Sequence, residues 1–322
     1  MDLSKFHVLC VISNPMRYAS RYKLYEQFQE DINRKGAPHL WTVELQAGAR
    51  VHKVTDLNNP NHIQVWKTHL PGTLWDKESM INIGISQIIK QYPDARYIAW
   101  VDADVRWEPG MIAEAQHALQ HWDIIQLWSH SVDLGPQNQA VGKIQQSFMY
   151  CYWHNIRVES QNGYTQGGHP GFGFAARRDS LNKLGVSLDG GPLISFGVLG
   201  SSDRHMCCAW IGAVDWSYHG DVHGNYKKWL HKWQAIAEKN IKRNVGYISQ
   251  TIRHAWHGRK ADRGYSSRWK LLVKHQFDPE TDLRRDVSGL WLLTSDTPRQ
   301  IRMRDDFRRY FQSRNEDSLD LV

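Results

Sequence analysis

Along the first half of the chain, short apolar runs bounded by turn residues alternate with longer segments whose apolar residues recur every three or four positions. The runs "HVLCVIS", "HLWTVELQ", "HIQVWKTHL", "ARYIAWVD" and "DIIQLW" are rich in β-branched and aromatic residues and read as strands. Between them, Tyr18 to Arg34, Lys77 to Gln91 and Pro109 to His121 carry a helical period. Strands alternating with helices predict an α/β protein whose mostly parallel central sheet is covered on both faces. The second half is less regular. It holds a Gly/His-rich loop, "NGYTQGGHPGFGF", a turn with one acid, "GVLGSSDRHM", and a helix with Trp229 and Trp233 one turn apart. The segment "PRQIRMRDDFRRYFQSRNED" reads as a charged amphipathic helix that packs against the rest of the chain. There is no internal repeat and no low-complexity linker.

Composition narrows the class. With 322 residues, 41% of them hydrophobic and 11% aromatic, the chain can bury a sizeable core. Met1 to Lys5 leads into only seven strand-like residues before Asn14-Pro15, so no signal peptide is expected. No apolar run approaches the roughly 20 residues of a membrane helix, which predicts no membrane insertion and a cytoplasmic protein. The four cysteines lack metal or disulfide spacing, as in a reducing compartment. The net charge of +7 is uneven: Tyr226 to Arg314 holds 21 Lys/Arg against 9 Asp/Glu. That excess is either a solvated face or a surface for a polyanion, nucleic acid being the first candidate. Neither GxGxxG nor GxxxxGK[ST] occurs, so neither a dinucleotide fold nor a P-loop is supported.

The candidate chemistry begins at "WVDADV". Asp102 and Asp104 end an apolar strand, and in extended geometry residues two apart face the same side. Two converging carboxylates call for a cation, and a hard divalent ion holding diphosphate oxygens fits. The alternative is a turn or helix-cap pair. Half a chain later, "YISQTIRHAWHGRKADRGYSSRW" supplies His254 and His257 together with Arg253, Arg259, Lys260, Arg263 and Arg268. Imidazole completes the shell of a borderline metal, and Arg forks suit phosphate. The odd offset between the histidines predicts opposite facings on an extended strand, hence one ligand and one supporting contact.

This order of motifs resembles nucleotide-sugar glycosyltransferases of the GT-A fold: a DxD ending a strand, the glycine-rich "GFGFAARRDSL", a G-x-x-D turn, then a histidine followed by cations. It is similar to the galactosyltransferase and polypeptide N-acetylgalactosaminyltransferase group. It also resembles bacteriophage-encoded glycosyltransferases with the pattern "NP..R..LY..F", "LW.KE..IN.GI", "W.DAD", "HPGF", "D.HM" and "H..HG.....R.Y..RW", followed here from about residue 8 to "RNED".

The resemblance implies one GT-A domain over 1–322, with a nucleotide-sugar-binding half (1–130), an acceptor and catalytic half (131–270) and a C-terminal helical extension (271–322). It implies Mn²⁺ or Mg²⁺ held by Asp102 and Asp104, Asp104 being the more direct ligand, with His254 or His257 as the third. It places Asn14, Pro15 and Arg17 at the nucleotide base, and Lys77 and Asn82 near the donor sugar and nucleotide. Asp102, Arg259, Arg263 and Arg268 fall on the phosphates. For Arg17 and for Arg21, which also follows the first strand, the alternative is a solvated helix face, which suits Arg21 better than the base site; Trp75 fits ring stacking or the core. Asp203 becomes the general base, or else only a helix cap; the family's usual Gly-Gly-Glu-Asp reads Gly200-Ser201-Ser202-Asp203 here, leaving a single acid. The expected donor is a nucleoside-diphosphate sugar, UDP-linked by preference. The expected acceptor is a hydroxymethylated pyrimidine in phage DNA inside the host cytoplasm, with Trp153, Phe172 or Trp216 available to stack on a base. A glycan, a protein or a small molecule is the alternative acceptor, and a non-catalytic basic nucleic-acid-binding module the alternative function.

Overall fold

The computed structural model describes residues 2–67, 73–160, 163–185, 191–265 and 267–321. In chain order the elements begin with β1 (Phe6–Ser13), α1 (Ala19–Arg34), β2 (Leu40–Ala47), β3 (His62–Lys67), α2 (Lys77–Gln91), β4 (Tyr97–Val101), β5 (Val105–Arg106) and α3 (Met111–Ala118). There follow β6 (Ile124–Gln126), β7 (His130–Leu134), β8 (Ala140–Gln146), α4 (Phe148–Trp153), β9 (Arg157–Ser160), β10 (Gly163–Gln166), β11 (Gly173–Arg177) and α5 (Arg178–Leu184). The last third holds α6 (Ser202–Trp210), α7 (Gly224–Ile241), β12 (Val245–Tyr247), β13 (Thr251–His254), α8 (Ser267–His275), β14 (Leu283–Arg285), β15 (Trp291–Leu293) and α9 (Pro298–Gln312). The expected strand from His62 to Leu70 is described as far as Lys67; residues 68–70 lie outside the described residues, as do Asn162 and Ser266 of the quoted loops. The expected helix from Pro109 to His121 is shorter at both ends: Gly110, left-handed at φ 86°, is its N-cap, and Leu119 is its C-cap.

Seven strands form the central sheet in the order β12-β6-β11-β4-β1-β2-β3. Among the described residues only β11 runs antiparallel to its neighbours in this sheet, so the expected α/β fold with a mostly parallel sheet is present. Alternation along β1 sorts its side chains. Val8, Cys10 and Ile12 pack with Tyr25, Phe28 and Ile32 of α1, while Leu9 packs with Met80, Ile81, Ile85 and Ile88 of α2 on the other face. Burying each such side chain contributes about 1.5–3 kcal/mol. At Gly84 a Cβ would lie 2.6 Å from Leu9 Cδ1, so α2 lies close against the sheet only because that residue has no side chain.

A smaller sheet, β5-β13-β7-β8, gathers chemistry. In β13, His254 pairs with Val105 of β5 on one side and with Asp133 of β7 on the other. The backbone amide of Ala255 donates to the carbonyl of Asp104 at 2.8 Å. The C-terminal region is not wholly helical as expected: a hairpin, β14 with β15, precedes α9. Helix α9 opens on a Thr297/Gln300 capping box with Pro298 at its start. Its Met303, Phe307, Tyr310 and Phe311 join the core. The chain after α9 then returns to α1, where the Asp317 carboxylate accepts from the amides of Ala19 and Ser20 at 2.9 and 2.8 Å.

Candidate active site

The carboxyl end of β4 opens onto two adjoining cavities. The smaller, about 150 Å³, is walled by Asn14, Pro15, Leu74, Trp75, Met80 and Phe311 among others; the larger, about 940 Å³, reaches from Lys77 and Asp104 past Asp203 to Tyr265 and Arg268. The chain turns immediately after β4, so the extended geometry that would align Asp102 with Asp104 does not continue. The two acids therefore take different partners. Asp102 is ion-paired with Lys77 Nζ at 2.5 Å, and its amide donates to the carbonyl of Phe172 at 2.8 Å.

Asp104 faces the histidines. Its Oδ2 is 3.0 Å from His257 Nε2 and 3.8 Å from His254 Nε2, and the two Nε2 atoms are 3.1 Å apart. Here the sequence expectation is corrected: both imidazoles face one point. Strand β13 ends at His254, and the turn that follows removes the two-residue alternation before His257 is reached. Asp133 Oδ1 lies 2.9 Å from His254 Nδ1 and so fixes that ring with Nε2 toward Asp104. Glu316 Oε2 stands 3.9 Å from His257 Nδ1.

Protonation follows from these contacts. Burial alone would raise the Asp104 carboxyl, but hydrogen bonds from His254 and His257 override it and hold the group well below the usual carboxylate range. Burial would lower His254, and its hydrogen bonds to Asp104 and Asp133 leave it raised. Burial and the nearby Arg263 push His257 down to about 4. Lys77 is raised: burial opposes its charge, and Asp102 with Glu78 more than offsets this.

These three residues fit a divalent metal. One carboxylate oxygen and two imidazole nitrogens lie within 4.8 Å of one another, and Asp104 Oδ1 is buried without a hydrogen-bond partner. Metal–ligand bonds of about 2.0–2.2 Å produce ligand–ligand separations of about 3 Å; two of the three separations here, 3.0 and 3.1 Å, have that spacing and the third is 3.8 Å. A two-histidine, one-carboxylate set also suits Fe(II). What distinguishes this setting is the cationic wall of the larger cavity, Lys77, Arg263, Arg268 and Arg314, which matches phosphate oxygens.

The remaining expected residues divide. Asn14 and Pro15 wall the smaller cavity, where the Asn14 amide bonds the backbone of Tyr18 on both sides. Arg21 also walls it and, instead of facing solvent, forks onto Glu316 at 2.6 and 2.7 Å. Arg17 is exposed and outside both walls. Asn82 is turned away from the site, its amide clamped to the backbone of Leu193 at 2.9 and 3.0 Å. Arg259 pairs with Asp262 and walls neither cavity. Arg263 and Arg268 wall the larger one, each with a buried Nε that lacks a partner.

Asp203 sits in the first turn of α6, whose N-cap is Ser201 rather than Asp203. A Cβ on Gly171 would lie 3.0 Å from Asp203 Oδ2, so the "HPGF" loop lies against the acid. Trp75 walls both cavities under the Arg314 guanidinium, 5.1 Å from its ring. Phe172 and Trp216 wall the larger cavity, whereas Trp153 lies outside it and bonds the Val245 carbonyl. Asp133, Arg314 and Glu316 were not singled out from the sequence. For the last two the signal was "RNED", where Arg314 and Glu316 pair with each other, but the partners that set them in the cavity wall, Trp75 and Arg21, lie far away in the sequence.

No protein-family model and no curated protein sequence matches this chain. Among solved structures it is similar to S. aureus TarS 1-349, at 10% identity and a TM-score of 0.35 over 78% of this chain and 60% of that one. It is also similar to the inositol-1-phosphate CTP transferase from T. maritima, at 12% identity and 0.34 over 78% and 88%. The mannose-1-phosphate geranyltransferase from Thermus thermophilus matches at 12% identity and 0.33 over 78% and 74%. The chain thus spans less than two thirds of the first of these.

Proposed function

We propose that the protein is a metal-dependent glycosyltransferase of the GT-A type, moving a sugar from a nucleoside-diphosphate sugar to an acceptor hydroxyl. The observation that carries this reading is the convergence of Asp104, His254 and His257 at the edge of a cavity that also presents phosphate-matching cations and a separate carboxylate, Asp203. Asp104, His254 and His257 would hold Mn²⁺ or Mg²⁺, and the ion would offset the charge that grows on the leaving diphosphate. Lys77, held by Asp102, and Arg263 and Arg268 bind the phosphate oxygens. The smaller cavity, with Asn14, Pro15 and Trp75, receives the base, UDP being preferred. Asp203 takes the proton of the acceptor hydroxyl as that oxygen forms its bond to the anomeric carbon and the bond to the diphosphate breaks, a role worth about 10²–10⁴-fold.

The acceptor we propose is a hydroxymethylated pyrimidine in DNA, supported by the basic C-terminal third and by Phe172 and Trp216 in the wall of the larger cavity. The test is incubation with a panel of nucleotide sugars, Mn²⁺ and DNA containing hydroxymethylcytosine or hydroxymethyluracil, followed by nucleoside mass analysis. We expect a mass gain of one sugar on the modified base with one donor. Asp104→Ala should lose transfer, and donor hydrolysis with it, by at least about 10³-fold while keeping its unfolding transition. Undiminished turnover in that variant would sink the metal reading. Transfer to other hydroxyls with none to DNA would replace the acceptor alone.

A further inference from the structure

Glu78 lies in the first turn of α2, next to Lys77, and is 3% exposed. It forms part of the wall of the larger cavity, yet its Oε2 is buried without a hydrogen-bond partner. A polar atom buried in this way is destabilising unless something satisfies it. The charged groups acting on it are Lys77 and Asp102 from the phosphate side of the cavity and Asp203 from the acceptor side. A sugar in transit must occupy the space between those two sides.

We infer that Glu78 is a specificity-determining residue that hydrogen-bonds a hydroxyl of the transferred sugar, an assignment that rests on the donor reading above. Burial, reinforced by Asp203 and Asp102 and opposed by Lys77, pushes its carboxyl up to about 8. At neutral pH the group is then a neutral acid with both a donor and an acceptor, and a sugar hydroxyl answers both. Being neutral, it also adds no further negative charge beside a diphosphate. Lys77 is paired with Asp102 at 2.5 Å, so Glu78 is not needed to hold that cation.

Titration calorimetry with Mn²⁺ tests the assignment by comparing each nucleoside diphosphate with its sugar conjugate. The pairs are UDP with UDP-glucose and UDP-galactose, GDP with GDP-mannose, and dTDP with dTDP-glucose, on wild type, Glu78→Gln and Glu78→Ala. For the pair that wild type binds, Glu78→Ala weakens the conjugate about 3- to 10-fold and leaves the diphosphate within about twofold, while Glu78→Gln loses less. Deoxy analogues of that sugar show a wild-type penalty at one hydroxyl, and Glu78→Ala no longer feels it. Unchanged affinities, or equal losses for diphosphate and conjugate in a variant with a normal unfolding transition, overturn the assignment and leave the donor reading standing. If Glu78→Ala does not fold, Glu78→Met, which fills the space with neither a donor nor a strong acceptor, decides in the same way. A wild type that binds none of these pairs overturns the donor reading, and the assignment with it.

Discussion

His205 shows how much a residue two positions from the expected base can constrain. It is fully buried, with Nδ1 2.7 Å from Ser217 Oγ and Nε2 2.8 Å from Tyr226 Oη. Burial, with Arg268 and Arg204 adding to it, pushes its pKa down to about 3. In the unfolded chain it titrates near 6.5, so between about pH 6.5 and 3 the unfolded state binds a proton that the folded state refuses. Stability therefore rises with pH across that window and is lost as pH falls. From pH 7 to 5 this group alone removes about 2 kcal/mol. His205→Gln should show a correspondingly smaller loss between urea midpoints measured at the two pH values; an unchanged loss would mean that other groups carry it. The metal-seeking residues were legible one at a time, since Asp104, His254 and His257 are recognisable by type and order. Their convergence was not. The turn after β13 decides it, and the same limit hid Asn82, whose type suits a donor contact but whose amide is used to clamp Leu193.

At the scale of elements, α1 begins without a side-chain cap of its own at Tyr18. The cap comes from Asp317, nearly the whole chain away, and beside it Glu316 forks onto Arg21 and holds Arg314 Nε at 2.7 Å. The segment after α9 is thus both the start of one helix and part of the cavity wall, since Arg314 and Glu316 line the smaller cavity. Asp317→Ala should cost about 1 kcal/mol in urea unfolding, the value of a lost N-cap. It should also raise the donor KM more than it lowers kcat, because the loosened wall is a binding wall. Asp317→Asn, which keeps one acceptor, should lose less on both measures. Helix and strand positions in the first half were readable because their apolar periods are long and regular. The insertion of antiparallel β11 into the parallel sheet was not readable, because a strand buried on both faces carries the same apolar signature in either direction. The cap on α1 was invisible because nothing local marks a partner 297 to 298 residues distant.

At the scale of the whole molecule, the uneven charge looks different once its partners are known. Many cations of the basic third are neutralised in place, as in Arg299 with Asp282, Lys274 with Asp306, Lys228 with Glu280 and Arg253 with Glu108. Composition registers each of these as charge, although an anion approaching from outside meets a dipole. Others remain on the surface: Lys232, Lys239 and Lys242 along and just beyond α7, Lys270 on α8, and Arg302 and Arg308 on α9 are exposed. If the acceptor is duplex DNA, these side chains supply the grip, and each phosphate they neutralise releases counterions. The logarithm of the binding constant should then fall linearly with the logarithm of salt concentration, with a slope of about −3 to −5 for roughly four to five phosphates. Because the grip and the metal residues are separate groups, Asp104→Ala should keep that slope while losing transfer. Charge reversal of Lys232, Lys239 and Lys270 together should flatten the slope by about two to three units and leave metal-dependent donor hydrolysis intact. Fluorescence anisotropy on a labelled duplex between about 50 and 200 mM salt reads both outcomes. A shallow slope in the wild type would remove DNA from the reading and leave the basic surface as a solvated face, with the transferase site untouched by the result.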